Sequence, residues 1–343
     1  MMEKILKEIG FDPQLENLLA EKIKDAEFVA RAQKLCDEIF ALENPAVYQG
    51  LWQDGDEEEA LLYPAVYLVR AVWLKEFMQQ ADMPEKHLKD ALVVLKNMAA
   101  RSYRKYGVYG LNNMYRSFPI GYFEPIEFVV GRLTFEMGKF NYPFEVYDVD
   151  GEYIPIALAG EKFVDGKPVS KKYEGDAFVT EVSYDGDSVS GYTYNADGEI
   201  IPEKRTFKGK KVLGIGDNIL HVHISSEGKL LDEDVKKSFA EAPAFFAKYF
   251  PKYDFKAFVC SSWLLDTGLK NVMKPESNIL QFQKNFRIAL GSENGFALYW
   301  NIFGIEDFLP LDELTPTNGF QKRTLDYLKA GNKLYSGKGF IMR

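Results

Sequence analysis

The apolar positions of this chain follow two periods, and the change between them falls near residue 120. In PQLENLLAEKIKDAEFVARAQKLCDEIFAL, residues Leu15, Leu18, Leu19, Ile23, Phe28, Val29, Ala32, Leu35 and Ile39 recur at the spacing of one helix face. Asp12 suits the cap before this helix and Pro13 its first turn. The loop NPAVYQGLWQDGDEEE follows. A second helix is predicted from about Glu58 to Gln80, with Pro64 near its start, and Met83-Pro84 breaks it. A third runs from about Glu85 to Arg104 and stops before Gly107. Residues 1–118 thus read as a helical N-terminal domain.

Beyond it, IEFVVGRLTFEMGKF alternates and is rich in β-branched and aromatic residues, which predicts a strand. From 145 to 210, short apolar pieces are divided by DG, DGK, DGD and ADGE, the chemistry of hairpin turns. These acidic turns lack the terminal Glu of a calcium loop. Asn218–Ile224 is a predicted strand, Ser225–Leu231 a loop, and Asp232–Phe250 a helix capped by Asp232. The helix buries Val235, Phe239, Ala242, Phe246 and Phe250, and Pro243 is expected to kink it. FKAFVCSSWLLD reads as a strand and LKNVMKPESNILQFQKNF as helical or irregular. RIALGSENGFALYWNIFG reads as a hairpin. A last helix, capped by Thr317 or Asn318, ends at Ala330 before a final strand in KLYSGKGFIM. Such an order predicts an α+β protein, with residues 119–343 a mixed-sheet domain.

Charge narrows the choice of partner. A net charge of −9 repels nucleic-acid backbones and anionic membranes. The densest basic run, Arg101, Arg104 and Lys105, closes a predicted helix, where cations complement the dipole. Cys36 and Cys260 are far apart and outside any metal-like spacing, so neither a disulfide framework nor a metal is expected. The most apolar stretch, LLYPAVYLVRAVWL, is interrupted by Arg70, and MMEKILKEIGFDPQ lacks a signal peptide's apolar core. The expectation is a cytoplasmic protein with no nucleic-acid or membrane partner.

HVHISSEGKLLDEDVKKSFAEAPAFFAKYFP, FVCSSWLLD, SNILQFQKNF, GRLTFEM and TNGFQKRTLDYLKAG together resemble a bacterial acyltransferase-like family with a helical N-terminal domain and a GNAT-like C-terminal domain. The resemblance implies that Leu220–Ile224 splays from a partner strand, Phe258–Ser262, and that acyl-coenzyme A enters between them. It also implies cofactor contacts from Ile224, Ser225, Ser226, Gly228 and Lys229, where backbone and helix N–H groups face the pyrophosphate. The usual loop has two spaced glycines and an Arg or Gln. Here it has one glycine, Gly228, and one cation, Lys229, followed by Asp232, Glu233 and Asp234, which satisfy the helix dipole themselves.

Candidate chemistry centres on His221 and His223, which share one strand face. Either serves as a general base near its ordinary pKa of ~6.5, or the His-x-His pair is part of a metal site, for which no third His or Cys sits nearby in sequence, or both are hydrogen-bonded parts of the sheet. His223 matches the family's His-Ile element. Cys260 is either a nucleophile activated by His223 or a small buried residue; Ser261 and Ser262 offer hydroxyls beside it. Trp263 reads as core or pocket wall, Asp266 as a turn cap, and Ser277 or Asn278 as a helix cap. Tyr299, beside Trp300, is a candidate general acid for a leaving thiolate. The expected function is acyl transfer from a coenzyme A thioester to an amine or hydroxyl of a small-molecule acceptor. The alternative is a non-catalytic ligand-binding protein on the same scaffold.

The charges around the loop make the coenzyme A expectation testable. Lys229→Glu should weaken coenzyme A binding, and neutralising Glu233 and Asp234 should strengthen it, each charge contributing ~0.3–1 kcal/mol near a helix start. Calorimetry at low salt reads the effect where screening is least. Equal binding by all three proteins would reduce the loop to a connector.

Overall fold

The computed structural model describes residues 1–41, 57–225, 228–293, 298–305 and 308–343. Two compact units, Met1–Val129 and Val130–Arg343, divide the chain. The first is helical: α1 (Met2–Ile9), α2 (Pro13–Lys22), α3 (Ala26–Phe40), α4 (Glu57–Gln80), α5 (Lys86–Tyr106) and the short α6 (Ile120–Phe123). The helix expected to run on from Pro13 is in fact two. The Asp25 carboxylate accepts the Glu27 N–H at 2.9 Å and restarts the chain as α3, as Asp12 starts α2 through the Gln14 N–H at 2.9 Å. An acid on a helix surface and an acid at a helix cap look alike to periodicity, so the break was invisible. The loop expected before α4 falls almost wholly outside the described residues.

Helix α4 is buried on nearly all sides through Leu61–Leu68, including Pro64. Proline has no N–H for the carbonyl four residues back. That carbonyl, on Ala60, accepts the Leu111 N–H at 2.9 Å instead. Gly110 makes the approach possible, since a Cβ there would lie 2.1 Å from the Ala60 oxygen and its φ is +119°. Arg70, which interrupts the apolar run, pairs with Glu124 at 2.9 Å and lies 3.5 Å from the Trp73 ring centroid. Among the described residues no helix is long and apolar enough to cross a membrane.

The second unit is built on a mixed sheet. The single strand expected over IEFVVGRLTFEMGKF is two, β1 (Glu127–Val130) and β2 (Leu133–Lys139), because Gly131 turns the chain at φ +64°. Then come β3 (Phe144–Val149), β4 (Glu152–Ala157), β5 (Lys162–Val164), β6 (Lys167–Pro168), β7 (Phe178–Val179), β8 (Ser183–Asp185), β9 (Ser188–Gly191), β10 (Arg205–Lys208) and β11 (Lys210–Leu213). They form three three-stranded sheets. The Asp-Gly turns act as expected: Asp150–Gly151 and Asp165–Gly166 all have positive φ and join antiparallel pairs.

The chain continues through β12 (Asn218–His223), α7 (Asp232–Tyr249), β13 (Ala257–Ser262), α8 (Asn278–Gln283), β14 (Arg287–Glu293), α9 (Gly319–Lys329) and β15 (Tyr335–Met342). The large sheet has the order β1-β2-β12-β13-β15-β14, with β12 and β13 parallel. On one face, Phe239 of α7 packs against Phe135 and Phe258, with ring centroids 5.9 and 5.1 Å apart. On the other, Ile219, Ala257, Val259, Ala289 and Phe340 meet Phe140, Phe144, Val146 and Leu213 in a second buried cluster. Asp232 does not cap α7. Leu231 holds that position, and Asp232 pairs with Lys236 at 2.7 Å. Asn318 caps α9 through the Gln321 N–H, as one of the two expected residues. The expected hairpin from Arg287 has one arm as a strand, whereas Leu298–Phe303 is a π-helical turn; residues 294–297 lie outside the described ones. β14 pairs with the distant β15 instead, a choice local pattern does not reveal.

The Ala60–Leu111 contact predicts a stability effect. Gly110→Ala should lower unfolding free energy by about 2 kcal/mol or more, since backbone on both sides must shift at a strained φ. Chemical denaturation would measure it, and an unchanged midpoint would show that the contact contributes nothing.

Candidate functional site

The sheet opens between β12 and β13. Their parallel register runs Ile219–Ala257, Leu220–Phe258 and His221–Val259 and stops there. Both strands continue, β12 through Val222 and His223 and β13 through Cys260, Ser261 and Ser262. Each keeps its outer partner to the end: His223 is opposite Thr134 of β2, and Ser262 is opposite Gly337 of β15. The parting therefore leaves two inner strand edges facing each other without a ladder, as the resemblance implied.

One face of the sheet brings polar side chains to this opening. His221 is opposite Glu136 across the β12–β2 ladder, so the two share a face, and His223 follows two residues on. The His223 Nε2 lies 2.7 Å from the Glu136 carboxylate. His221 packs over the bare backbone of Gly138, where a Cβ would come within 2.6 Å of its Cδ2. Its Nδ1 lies 3.3 Å from the Tyr142 hydroxyl. Lys338, opposite Ser261 on β15, lies 5.7 Å from the Tyr142 ring centroid.

The other expected residues are placed as follows. Cys260 is fully buried and belongs with Phe258 to the α7 face, so strand alternation sets it on the opposite side from His223. Burial pushes its thiol up to about 12, the behaviour of a structural cysteine. The Tyr299 hydroxyl donates to the Leu309 carbonyl, and its ring packs in the small cluster around Leu269 and Ile302. Ile224 follows β12, and Ser225, Gly228 and Lys229 are exposed; Ser226 lies outside the described residues. Gly228 has φ +74°, and among the described residues no atom would lie within 4 Å of a Cβ there. Asp266 is a buried cap that accepts the Gly268 and Tyr335 N–H groups at 2.8 and 2.7 Å. Ser277 caps α8.

Three contributors escaped the sequence reading. Arg132 reaches from β1–β2 to the loop, where its guanidinium donates to the carbonyls of Lys229 and Ser225 at 2.9 Å and of Gly228 at 3.3 Å. Glu136 and Tyr142 complete the histidine cluster. Glu136 carried a usable signal, an acid at the centre of an apolar strand; Tyr142 carried none, because its position depends on the packing of β3.

The electrostatics are mutual. Burial opposes charge on Glu136, but the hydrogen bond and charge of His223, with help from His221, outweigh it and hold the carboxyl below its usual range. Burial lowers His221, Glu136 partly restores it, and His223 lowers it further. Tyr142 is raised, first by burial and then by Cys260 and Glu136, against a hydrogen bond with Ser261. It therefore holds its proton at neutral pH. Among the described residues no group of three or more His, Cys, Asp or Glu side chains could hold a metal.

The model of the GNAT-like C-terminal domain family matches residues 128–341, and the chain belongs to that family. Three solved structures share the fold. An acyltransferase in complex with decanoyl-CoA and teicoplanin has a TM-score of 0.62 at 16% identity, over 99% of this chain and 86% of that one. An acyltransferase in complex with decanoyl-CoA gives 0.61 at 18%, over 98% and 86%. An acyltransferase in complex with CoA and 10C-teicoplanin gives 0.61 at 17%, over 99% and 86%. No curated protein sequence matches this chain.

Both shifted groups make the fold acid-sensitive. The His221 and Glu136 pKa values are lowered on folding, so the unfolded chain binds more protons as pH falls. Their stabilisation is complete above the ordinary histidine value of ~6.5 and declines toward and below the ordinary carboxylate value of ~4.3. The melting temperature should therefore fall between these values, and a His221→Gln, Glu136→Gln protein should show a shallower slope. An equal slope would mean that other groups carry the effect.

Proposed function

We propose that this member of the GNAT-like C-terminal domain family transfers an acyl group from a coenzyme A thioester to an amine or hydroxyl of a small molecule. The observation that carries the reading is the Glu136–His223 pair, 2.7 Å apart, at the mouth of the parted strands β12 and β13. A carboxylate that accepts from Nε2–H fixes the tautomer with its basic lone pair on Nδ1 and stabilises the imidazolium formed when that nitrogen takes a proton.

In this scheme the acceptor's lone pair attacks the thioester carbonyl carbon while His223 takes the acceptor's proton, directly or through water. Backbone N–H groups on the unladdered inner edge stabilise the oxyanion. Collapse forms the amide or ester and breaks the C–S bond, and the thiolate takes a proton. Tyr142 is the acid we assign to that step, in place of Tyr299, because it is protonated and lies on the same face as His221 and Ser261. Gly228, Ser225 and Lys229 border the entrance for the pyrophosphate, with Ile224 at the end of the strand, and Arg132 holds that loop in shape. The solved acyltransferases that bind acyl-CoA and teicoplanin on this fold support the same reading.

Asp232, Glu233 and Asp234 in the first turn of α7 favour the second reading, a scaffold that binds a ligand without turnover. Incubation with decanoyl-CoA and a panel of amines and alcohols, with release of free thiol as the readout, separates the two. His223→Gln should lower kcat by roughly 10²–10⁴-fold. Glu136→Gln should lower it less and move the acidic limb of the pH–rate profile, with decanoyl-CoA binding kept in both. A protein whose melting temperature rises with decanoyl-CoA but releases no thiol would favour the binder.

A further inference from the structure

A cleft of 680 Å³ lies at the outer edge of the second unit's sheet, along β14 and away from the histidine cluster. Its size is that of a small-molecule site, roughly 300–1,000 Å³. The floor is apolar, formed by Leu280, Phe286 and Ile288, and the rim carries Lys270, Lys284 and Arg287. Asp197 is the one acidic side chain among the lining residues, and Lys270 neutralises it at 2.6 Å. Among the described residues neither Lys284 nor Arg287 has an ion pair; the Lys284 ammonium donates to the Gln281 amide oxygen at 2.8 Å. In a chain of net charge −9, this concentration of uncompensated positive charge over an apolar floor is unusual.

The walls are held in place before any ligand arrives. The Gly198 carbonyl accepts the Leu290 N–H at 2.7 Å, which fixes the Asn195–Glu199 turn to the edge of β14. The Asn195 side chain accepts the Asp197 and Glu199 N–H groups, and Thr267 donates to the Asp197 carbonyl at 2.7 Å. Opposite, Gln283 donates to the Leu264 and Asp266 carbonyls, both at 2.8 Å, which holds the end of α8. Arg287 presents a planar fork suited to an oxyanion, and Lys284 adds a point charge beside it.

From this we infer that the cleft binds a small organic oxyanion with an apolar body, a carboxylate or a phosphate monoester, at a site distinct from the parted strands. The oxyanion meets Arg287 and Lys284, and the apolar body covers Leu280, Phe286 and Ile288. The inference does not depend on acyl transfer, since the cleft contains none of the residues assigned to that chemistry.

Calorimetric titration of the full chain with octanoate, phenyl phosphate and inorganic phosphate tests it. At least one of the two amphipathic anions should bind saturably, the preferred one identifying the headgroup, and inorganic phosphate should bind at least about tenfold more weakly. A Lys284→Gln, Arg287→Gln protein should lose about tenfold or more in affinity, as expected for charge-assisted hydrogen bonds. A Lys75→Gln, Lys89→Gln protein, matched in net charge, should bind as the parent does. Lys284, Arg287 and Lys89 are exposed and Lys75 is half-buried, so melting temperatures close to the parent's are expected to accompany the comparison. The proposal is overturned if neither amphipathic anion binds, if the cleft variant binds as tightly as the parent, or if inorganic phosphate binds as tightly as the preferred anion.

Discussion

The acyl-transfer reading of the second unit depends on a hydrogen-bond ladder that stops partway. β12 and β13 pair as far as His221 and Val259 and then part. A strand left without a neighbour normally frays, but here each is held straight by its outer partner, β12 by β2 and β13 by β15, to their last residues. The parting is thus enforced from outside. Its inner edges carry backbone polar groups without a ladder partner, the kind of edge that an extended ligand can pair with in the manner of a missing strand. The histidine cluster is a consequence of the same arrangement, because full pairing of β12 with β2 brings Glu136 to the two histidines.

The loop after β12 shows how competing charges are distributed. Three acids begin α7, where they satisfy the positive end of the helix. Arg132 gathers the carbonyls of Ser225, Gly228 and Lys229, so the negative ends of those peptide dipoles point to the protein's own cation. Asp232 is in turn tied to Lys236. The loop is consequently shaped by internal electrostatics, and its glycine, Gly228, takes a left-handed backbone that residues with a Cβ rarely adopt.

In the helical unit the same rule of satisfied backbone explains a proline that looks misplaced. Pro64 would destabilise an isolated helix, yet in α4 the carbonyl it frees becomes an attachment point for the segment after α5. Proline, glycine and the incoming N–H form one device, in which each residue is intelligible only with the other two.

Local pattern determined a good deal of this protein. The helical first third, the Asp-Gly turns with their positive φ, the buried stripe of α7, the strands β13 and β15 and the caps at Ser277 and Asn318 all depend on residues within a few positions of one another. The resemblance to the GNAT-like family rested on the same stretches, and the parted strands fall where it implied. What tertiary structure alone decided is which strands meet and in what register. It gave β14 the distant β15 as partner and set Cys260 on the face away from His223, whereas the break after α2 and the turn at Gly131 have local causes, the Asp25 cap and the glycine's positive φ. It also joined Glu136 and Tyr142 to His223 and His221, across 87 and 79 residues of chain. Periodicity reports which faces of one element are apolar. The pairing of elements far apart in sequence is chosen by packing and ladder hydrogen bonds summed over the whole domain, and no single stretch of sequence carries that sum.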